Sequence, residues 1–504
     1  MLFNTPEFIF VFLPAALLLH YWLARQSVNA AIIGTTISSL VFYGWWNPPF
    51  VLLPILSICA NYLLAKKMVD ADKETNRRLL IAGIVANFLV LCYFKYADFL
   101  ISIVDGHKIQ PPNVPLALSF TTFVQIAFLV EVYRRRIPLD FRRYALFVAF
   151  FPHLIAGPIV RWSSFGRQLG DPERYRASWD NVALGLTIFT FGLMKKVVLA
   201  DSLAPHVSGV FDAAAHGELV TTFAAWAGST AFVAQIYFDF SGYSDMAIGL
   251  GLLFNYRLPI NFAAPLRSTS LFDLWRRWHI TLSRFMRDFI YIPLGFRHPG
   301  PLRKSMNLMI TMVLGGLWHG ANWTFIAWGA FHGVLLLINV GWREFRGPGR
   351  RGPAGRLIGW ALTFGSFVVG AVFFRSADIH GAWHMFTAMA GFGNAAVAEH
   401  HLQMDDWMIR HGYVSDELVR TWLGATWSVV GTLWTALALV IILAVPDPLE
   451  ITGYREGDAQ SDWRRSVGFL AWRPSLVSVS IAMIMFLVVF LNVGRVNEFL
   501  YYQF

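Results

Sequence analysis

Apolar segments separated by short polar loops repeat along almost the entire chain. In the first quarter they cover residues 8–24, 30–46, 50–65, 79–94 and 114–132. Each approaches the length of about 20 residues that an α-helix needs to cross a hydrocarbon core about 30 Å thick. The pattern therefore predicts five membrane-spanning helices within residues 1–136.

A longer uncharged segment lies in the second half of the chain. Residues 305–341 contain no Asp, Glu, Lys or Arg, and their length exceeds that of one span. Gly320, Ala321 and Asn322 lie near its centre, so we expect two helices with a break at these residues. Further spans are predicted at residues 182–200, 219–237, 357–374, 427–445 and 476–493.

Two other apolar regions do not fit a simple span. Residues 144–160 include prolines and a glycine, which favour a broken, re-entrant segment that is buried in protein or lines a cavity. Between residues 271 and 289 the apolar positions repeat at spacings of three and four, which predicts one amphipathic helix at the membrane interface. The predicted fold is an all-α polytopic membrane protein with about eleven or twelve spanning helices, plus re-entrant and interfacial helices.

The composition supports this fold and indicates an orientation. Hydrophobic residues make up 56% of the chain and charged residues 14%, compared with about 25% charged residues in soluble domains. The net charge of +10 is distributed in short basic clusters, as at residues 66–67 and 134–136, so it indicates membrane topology rather than nucleic-acid binding. We expect these clusters to be cytoplasmic, which places the N-terminus on the opposite side of the membrane.

The chain is interpreted as one membrane domain (residues 1–504) in three parts. Spans fill residues 1–136, the candidate chemistry lies in residues 144–341, and the C-terminal spans occupy residues 357–504 with a polar segment at about 375–420. This segment contains five histidines whose spacing matches no common zinc motif, so no metal site is predicted. The only two cysteines lie in apolar segments, so no disulfide framework is predicted.

Histidines within the apolar regions are the first candidates for a functional site. His319 lies at the predicted break of the uncharged segment, and an ionisable side chain at membrane depth indicates function by default. His279 lies at the edge of the amphipathic stripe, one turn after Trp275. Interhelical hydrogen bonding is the alternative for both histidines, and it is the favoured interpretation for His153 and His332.

A polar run follows the span predicted at residues 219–237. Asp239, Tyr243 and Asp245 are interpreted either as a satisfied network that stabilises a helix break or as part of a substrate path. Lys195 and Lys196 lie near the end of the preceding span, and we expect their side chains to extend toward the membrane interface.

Charged residues lie off the apolar stripe, on the other faces of the predicted helix. Arg276 and Arg287 are interpreted either as partners of Asp273 and Asp288 or as binding groups for phosphates of a ligand. The sequence pattern does not distinguish these two alternatives.

Four motifs in a fixed order carry a family resemblance. They are PHLIAGP from residue 152, YFDFSGYSDMAIG from residue 237, LWRRWHITLS from residue 274 and GLWHGANW from residue 316. This combination resembles the membrane-bound O-acyltransferase superfamily, and within it the branch that acetylates bacterial exopolysaccharides such as alginate. The resemblance runs over nearly the whole chain and is weakest at residues 375–473.

The resemblance implies a helical bundle around a central funnel in the bacterial inner membrane. It implies transfer of an acetyl group from a thioester such as acetyl-CoA to a polysaccharide hydroxyl, with no bound cofactor. His319 would be the catalytic residue and His279 the second essential polar residue. A periplasmic acetyltransferase is the expected protein partner.

The residues themselves are compatible with this chemistry. An imidazole is the usual general base for a hydroxyl near neutral pH. Asn322 is expected to donate a hydrogen bond to a developing oxyanion, while Trp318 and Trp323 exclude water. Trp318, Asn322 and the polar run at residues 239–245 would line the donor channel, with the basic face of Arg276 and Arg287 at its cytoplasmic mouth.

Several alternatives stay open at this point. The acceptor is alginate or another envelope polymer, such as cellulose, peptidoglycan or a D-alanylated teichoic acid. Broken apolar segments also occur in transporters, although no pair of repeats with matching breaks is visible in this sequence. A non-catalytic scaffold of a polysaccharide secretion complex is the third class.

Overall fold

In the computed structural model, α-helices of very different lengths surround a buried central layer. The described residues are 1–45, 47–105, 115–135, 137–295, 300–347, 352–392, 403–411, 413–415, 426–455, 467–492 and 500. Every regular element among them is a helix. The all-α architecture predicted from the apolar pattern is therefore confirmed.

The helices are numbered here in chain order. The N-terminal part contains α1 (Leu13–Ala24), α2 (Val28–Gly44), α3 (Leu52–Asp70), α4 (Lys73–Leu91), α5 (Ala97–Asp105) and α6 (Leu118–Arg135). The central part contains α7 (Phe141–Ala149), α8 (Phe151–Leu154), α9 (Trp179–Leu193), α10 (Asp201–Ala215), α11 (Thr222–Leu253), α12 (Leu271–Arg277), α13 (Ile280–Met286), α14 (Pro301–His319) and α15 (Trp323–Arg346). The C-terminal part contains α16 (Pro353–Arg375), α17 (Ile379–Thr387), α18 (Gln403–Arg410), α19 (Val429–Ala444), α20 (Pro448–Ile451) and α21 (Leu476–Asn492).

Six helical segments of the described chain are long and apolar enough to cross a membrane. They are Pro48–Asp70, Lys73–Ile103, Trp179–Ala215, Trp323–Arg346, Pro353–Arg375 and Val429–Ile451. Shorter apolar segments are Phe8–Ala24, Val28–Gly44 and Leu476–Asn492. Each predicted span coincides with one of these segments or with α6, α11 or α14, although residues 46, 114 and 493 lie outside the described part.

The uncharged segment forms the helical hairpin of α14 and α15. The two helices approach closely because Gly316 and Gly329 have no side chains. A Cβ atom on Gly316 would collide with the carbonyl oxygen of Phe325, and one on Gly329 would collide with that of Met312. Small residues allow such backbone contact between apolar helices. The chain leaves helical geometry between residues 319 and 323, so the predicted break is confirmed.

Helix α11 continues through the polar run without a break. It is 32 residues long, and Asp239, Tyr243 and Asp245 are all buried within it. Gly242 of α11 lies against the carbonyl oxygen of Gly192, which brings α9 and α11 into backbone contact. The interpretation of a helix break at this polar run is therefore wrong.

Lys195 is buried in the protein instead of extending toward the interface. It lies in the π-helical turn Met194–Ala200, beside Lys196, which is also buried. The Nζ atom of Lys195 lies 2.7 Å from an oxygen of Asp245 and 3.4 Å from an oxygen of Asp447. The prediction that these lysines extend to the membrane surface is wrong, because carboxylates from distant segments meet them inside the bundle.

We expect Lys196→Met to destabilise the protein strongly. The Nζ atom of Lys196 lies 2.7 Å from Asp239 and 2.8 Å from Asp201, and all three side chains are buried. Removing one partner of a buried ion pair costs about 3–5 kcal/mol, because the remaining charge is left uncompensated. Thermal unfolding in detergent should show a lower midpoint for Lys196→Met and an unchanged midpoint for Lys66→Met, which removes an exposed lysine. Equal midpoints for both variants would contradict a stabilising role of these buried ion pairs.

Segment 144–160 is broken, as its prolines and glycine predict. After α7 and the four-residue α8 the chain continues in turns and extended backbone, and the segment is buried throughout. The backbone N–H of Phe151 donates to Ser39 Oγ at 3.2 Å, and that of Ile159 donates to Thr281 Oγ1 at 3.0 Å. Side chains of other helices therefore satisfy backbone groups that this segment cannot bond internally.

The polar segment 375–420 is described only in part. Helix α17 and the π-helical turn Ala388–Phe392 form its first part. Of the five histidines in this segment, His400 and His401 lie outside the described residues.

Candidate active site

His319 occupies the last position of α14, directly before the break in the hairpin. Gly320 leaves the helix in an extended conformation, and Asn322 caps the start of α15. The imidazole of His319 is buried and contacts the rings of Trp328 and Phe374 edge-on, with centroid separations of 5.2 and 5.0 Å. The predicted location of this histidine at a buried helix break is confirmed.

His279 lies in a sharp turn instead of on a continuous helix. Its backbone is left-handed (φ 42°, ψ 56°) and separates α12 from α13. The prediction of one interfacial helix over residues 271–289 is therefore wrong, and the side chain is only 1% exposed. A residue other than glycine in this conformation costs about 1–2 kcal/mol, so the surrounding structure must hold it there.

A hydrogen-bond network holds the turn at His279. Asn261 Oδ1 accepts a hydrogen bond from Thr281 Oγ1 at 2.7 Å, and Asn261 Nδ2 donates to Ser244 Oγ of α11 at 3.3 Å. Thr281 Oγ1 in turn accepts from the backbone of Ile159 at 3.0 Å. The segment after α8, helix α11 and the turn before α13 therefore meet beside His279.

The indole of Trp318 packs edge-on against both histidine rings. Its centroid lies 5.0 Å from that of His319 and 6.0 Å from that of His279. Phe123 of α6 stacks on the indole at 5.5 Å, and Phe240 of α11 contacts His279 edge-on at 4.7 Å. Side chains of three helices, α6, α11 and α14, therefore meet beside the two imidazoles.

This arrangement is suited to proton transfer in a site that contains little water. Within the described chain, neither ring nitrogen of His279 has a hydrogen-bond partner. Aromatic walls exclude water, and electrostatic interactions strengthen in the resulting low-dielectric environment. An imidazole in such surroundings can exchange a proton with a polar group that is bound beside it.

Asn322 and Trp323 have positions that differ from those expected. Asn322 Oδ1 accepts from the backbone of Thr324 at 3.2 Å, and its Nδ2 donates to the carbonyl oxygen of Ala377 at 2.7 Å. The structure therefore assigns Asn322 to a helix cap that ties the hairpin to the end of α16, in place of the expected oxyanion site. Trp323 is 54% exposed, so its expected role in excluding water from the site is wrong.

Asp239, Tyr243 and Asp245 of α11 are all engaged by residues of other segments. Both aspartates are engaged by the buried lysines of the π-helical turn after α9. The ring of Tyr243 stacks on Phe3 with a centroid separation of 4.7 Å. Of the two interpretations left open by the sequence, these contacts support the satisfied network.

Trp275 and Arg276 of α12 have different surroundings. The indole of Trp275 packs edge-on against Trp328 at 5.6 Å, so it extends the aromatic wall of the site. Arg276 is exposed, and the pairing with Asp273 that was one alternative is made by Arg277, with 2.9 Å between Nε and Oδ1.

Arg287 pairs with its neighbour in the chain. Its Nε lies 2.7 Å from Asp288 Oδ1, while Arg161 approaches the other oxygen of Asp288 at 2.6 Å. Burial alone raises the pKa of Asp288, but the hydrogen bonds from both arginines hold that pKa below its usual value. Ion pairing, which was one of the two interpretations of Arg287, is therefore present in this structure.

His153 and His332 are buried among aromatic rings. His332 contacts Trp275 and Trp328 with centroid separations of 5.3 and 5.0 Å, and His153 contacts Phe165 at 5.4 Å. These contacts support their interpretation as packing residues. The described part of the chain contains no group of three or more His, Cys, Asp or Glu side chains arranged to hold a metal ion.

Two residues of the centre were missed by the sequence interpretation. Lys95 Nζ donates to the carbonyl oxygens of Trp318 and His319 at 2.7 and 3.0 Å. Its position at the end of an apolar segment was a usable signal, because ionisable residues at membrane depth are usually functional. Asp447 pairs with Lys195 across 252 residues of sequence, and no local pattern connects them.

Comparison with known proteins identifies the family. The family model of the membrane-bound O-acyltransferases matches residues 43–364. The matched range includes the helical hairpin, the turn at His279 and the buried ion pairs of α11. It therefore covers both histidines and most of the residues that surround them.

Individual relatives extend this similarity over most of the chain. The peptidoglycan O-acetyltransferase of Helicobacter pylori is 37% identical over 459 residues, which cover 83% of this chain and 85% of that protein. The probable alginate O-acetylase of Pseudomonas aeruginosa is 40% identical over 413 residues, covering 79% and 76%. The teichoic acid D-alanyltransferase of Streptococcus thermophilus is 27% identical over 248 residues, covering 45% and 57%. This chain therefore belongs to the membrane-bound O-acyltransferase family and is an O-acyltransferase of the membrane.

Proposed function

We propose that this protein transfers an acetyl group from a cytoplasmic thioester, such as acetyl-CoA, to hydroxyl groups of an exopolysaccharide, with alginate as the first candidate. The observation that carries the proposal is the pair of buried imidazoles that both contact Trp318, one of them at the break of the α14–α15 hairpin. The 40% identity to a probable alginate O-acetylase supports this choice of acceptor.

His319 is the proposed general base. Its imidazole takes the proton of the acceptor hydroxyl while that oxygen attacks the thioester carbonyl carbon. The tetrahedral intermediate then collapses, the C–S bond breaks, and the imidazolium returns the proton to the thiolate. The products are an acetyl ester and a free thiol, and a general base of this kind contributes about 10²- to 10⁴-fold to the rate.

His279 is the proposed second polar group of the reaction. In its neutral form one ring nitrogen donates a hydrogen bond and the other accepts one. A donor aimed at the thioester carbonyl would stabilise the negative charge that develops on its oxygen. Two observations support this role: the left-handed backbone at His279, and ring nitrogens that have no hydrogen-bond partner among the described residues.

The two substrates are proposed to reach the site from opposite sides of an inner membrane. Helix α14 has 19 residues and rises about 1.5 Å per residue, so His319 lies about 27 Å along its axis from Pro301. Arg303 and Lys304 at the start of α14 favour a cytoplasmic location of that end. The donor would then enter past the exposed Arg276 and Arg287, and the acceptor from the outer side, where the N-terminus also lies.

Other acceptors form the second candidate function. The peptidoglycan O-acetyltransferase covers more of this chain, 83%, than the alginate relative does, so a glycan of the cell wall is the main alternative. Cellulose and D-alanyl transfer to teichoic acid belong to the same chemical class. In each case a periplasmic acyltransferase is the proposed partner that receives the group or delivers it.

Complementation in two hosts tests the acceptor. We expect this protein to restore ester-linked acetyl groups to alginate in an alginate-producing host that lacks its own membrane acetylase, and His319→Ala to restore none. If acetyl groups are restored only to peptidoglycan, in a matched host that lacks its peptidoglycan acetylase, then peptidoglycan and not alginate is the acceptor. Purified protein should release free thiol from acetyl-CoA when acceptor is present, whereas a transporter or scaffold would release none.

A further inference from the structure

Side chains of another helix bond the last carbonyl groups of α14. The helix ends at His319, so no backbone N–H group of a following helical turn donates to the carbonyl oxygens of its final turn. Tyr96 Oη donates to the carbonyl oxygen of Leu317 at 2.9 Å. Lys95 Nζ donates to the carbonyl oxygens of Trp318 and His319 at 2.7 and 3.0 Å. Two consecutive residues therefore satisfy three consecutive carbonyl groups at this helix end.

Lys95 has neighbours that interact favourably with a positive charge. Lys95 and Tyr96 lie in the π-helical turn Cys92–Tyr96 between α4 and α5, and such turns often occur at functional sites. A positive charge is stabilised at the C-terminal end of a helix, where the carbonyl dipoles accumulate. The ammonium also lies 5.9 Å from the ring centroid of Trp318, a distance at which a cation–π interaction is favourable.

These contacts act on the segment that carries the candidate base. The imidazole of His319 projects from the same residue whose carbonyl oxygen Lys95 holds, and the preceding residue supplies the indole that contacts both histidines. A helix end fixed only by its own chain frays within its last turn. A displacement of about 1 Å at a reacting group costs up to about 10²-fold in rate.

We propose that Lys95 is a positioning residue of the acyl transfer, which caps α14 and holds His319 at the reacting centre without contacting substrate. The inference rests on the proposed role of His319 as the base. Because Lys95 acts on the geometry of the base, its loss lowers kcat and leaves the KM for the thioester donor nearly unchanged.

Lys95→Met tests this role, because it removes the ammonium group and keeps an unbranched stem of similar length. We expect kcat to fall by about 10- to 100-fold while the donor KM stays within about threefold of wild type. Hydrogen exchange of peptides that cover residues 313–322 should become faster, because the last turn of α14 opens more often. Lys67→Met, which removes an exposed lysine of α3, should change neither quantity.

Two further variants keep the test decisive if Lys95→Met fails to accumulate. Lys95→Arg retains a charged donor and should keep a higher kcat than Lys95→Met, while Tyr96→Phe removes one capping bond and should accelerate exchange in the same peptides. Wild-type kcat and wild-type exchange in Lys95→Met would overturn the proposal, as would an arginine variant no more active than the methionine variant. If the wild-type protein releases no thiol, the proposed function is refuted. Faster exchange in Lys95→Met would in that case still support the capping role of Lys95.

Discussion

His319→Ala is expected to lower acyl transfer by about 10²- to 10⁴-fold, the contribution of a general base, while the protein still inserts and accumulates. The imidazole lies at the end of α14, buried against Trp328 and Phe374, and its backbone carbonyl is held by Lys95. Truncation removes the proton acceptor but leaves the helix hairpin and its glycine contacts in place. The measurement is ester-linked acetyl content of the polymer, normalised to membrane-inserted protein.

A matched pair of variants distinguishes the loss of the proton acceptor at His319 from the loss of side-chain volume. His319→Gln keeps a polar side chain of similar reach but does not titrate near neutral pH, so it should be as inactive as His319→Ala. His216→Ala removes an exposed histidine of the segment after α10 and should acetylate normally. Polymer acetyl content near the wild-type level in either His319 variant would exclude a general-base role for this residue.

The second large effect is expected at His279, for which asparagine is the informative substitution. Asparagine tolerates the left-handed backbone at this position better than most residues, so the turn between α12 and α13 should persist. We expect His279→Asn to lower turnover by about 10²-fold, which corresponds to a barrier increase of roughly 3 kcal/mol, with an unchanged thermal midpoint. Turnover is measured as thiol release by purified protein in lipid nanodiscs.

Asn261→Ala provides the control for the backbone at this site. It leaves the imidazole of His279 present but removes the side-chain acceptor for Thr281 and the donor to Ser244. A lower thermal midpoint is expected in this variant, in contrast to His279→Asn. Turnover of His279→Asn within about threefold of wild type, a barrier change under roughly 1 kcal/mol, would return His279 to a packing role.

The sequence alone determined those features that depend on local composition and length. Apolar segments of about 20 residues lie next to basic clusters, and in a bilayer such segments must be helical because no water is present to bond their backbone groups. The break of the uncharged segment was equally local, since Gly320 and Asn322 terminate one helix and cap the next. These features placed His319 correctly at a buried helix end before any tertiary contact was known.

Periodicity was misleading where tertiary bonds override it. The stripe over residues 271–289 has the spacing of one helix, yet Asn261 and Thr281 hold His279 in a left-handed turn that divides it. Hydrophobic spacing reports which positions face an apolar partner, and two short helices on the same core have nearly the same spacing as one long helix. The strained turn at His279 can therefore be recognised only in the tertiary structure, which contains the segments that hydrogen-bond to it.

Only the tertiary structure decided how the buried charges are arranged. Lys195 pairs with Asp245 and Asp447, which lie 50 and 252 residues away in sequence, and Lys95 bonds carbonyl groups more than 220 residues away. A lysine near the end of an apolar segment extends to the interface when no counter-charge is close, but it stays buried when carboxylates or helix ends meet it inside the bundle. The partner comes from another part of the chain, so local sequence determines that a charge is present at membrane depth and the packing of distant helices determines what it does there.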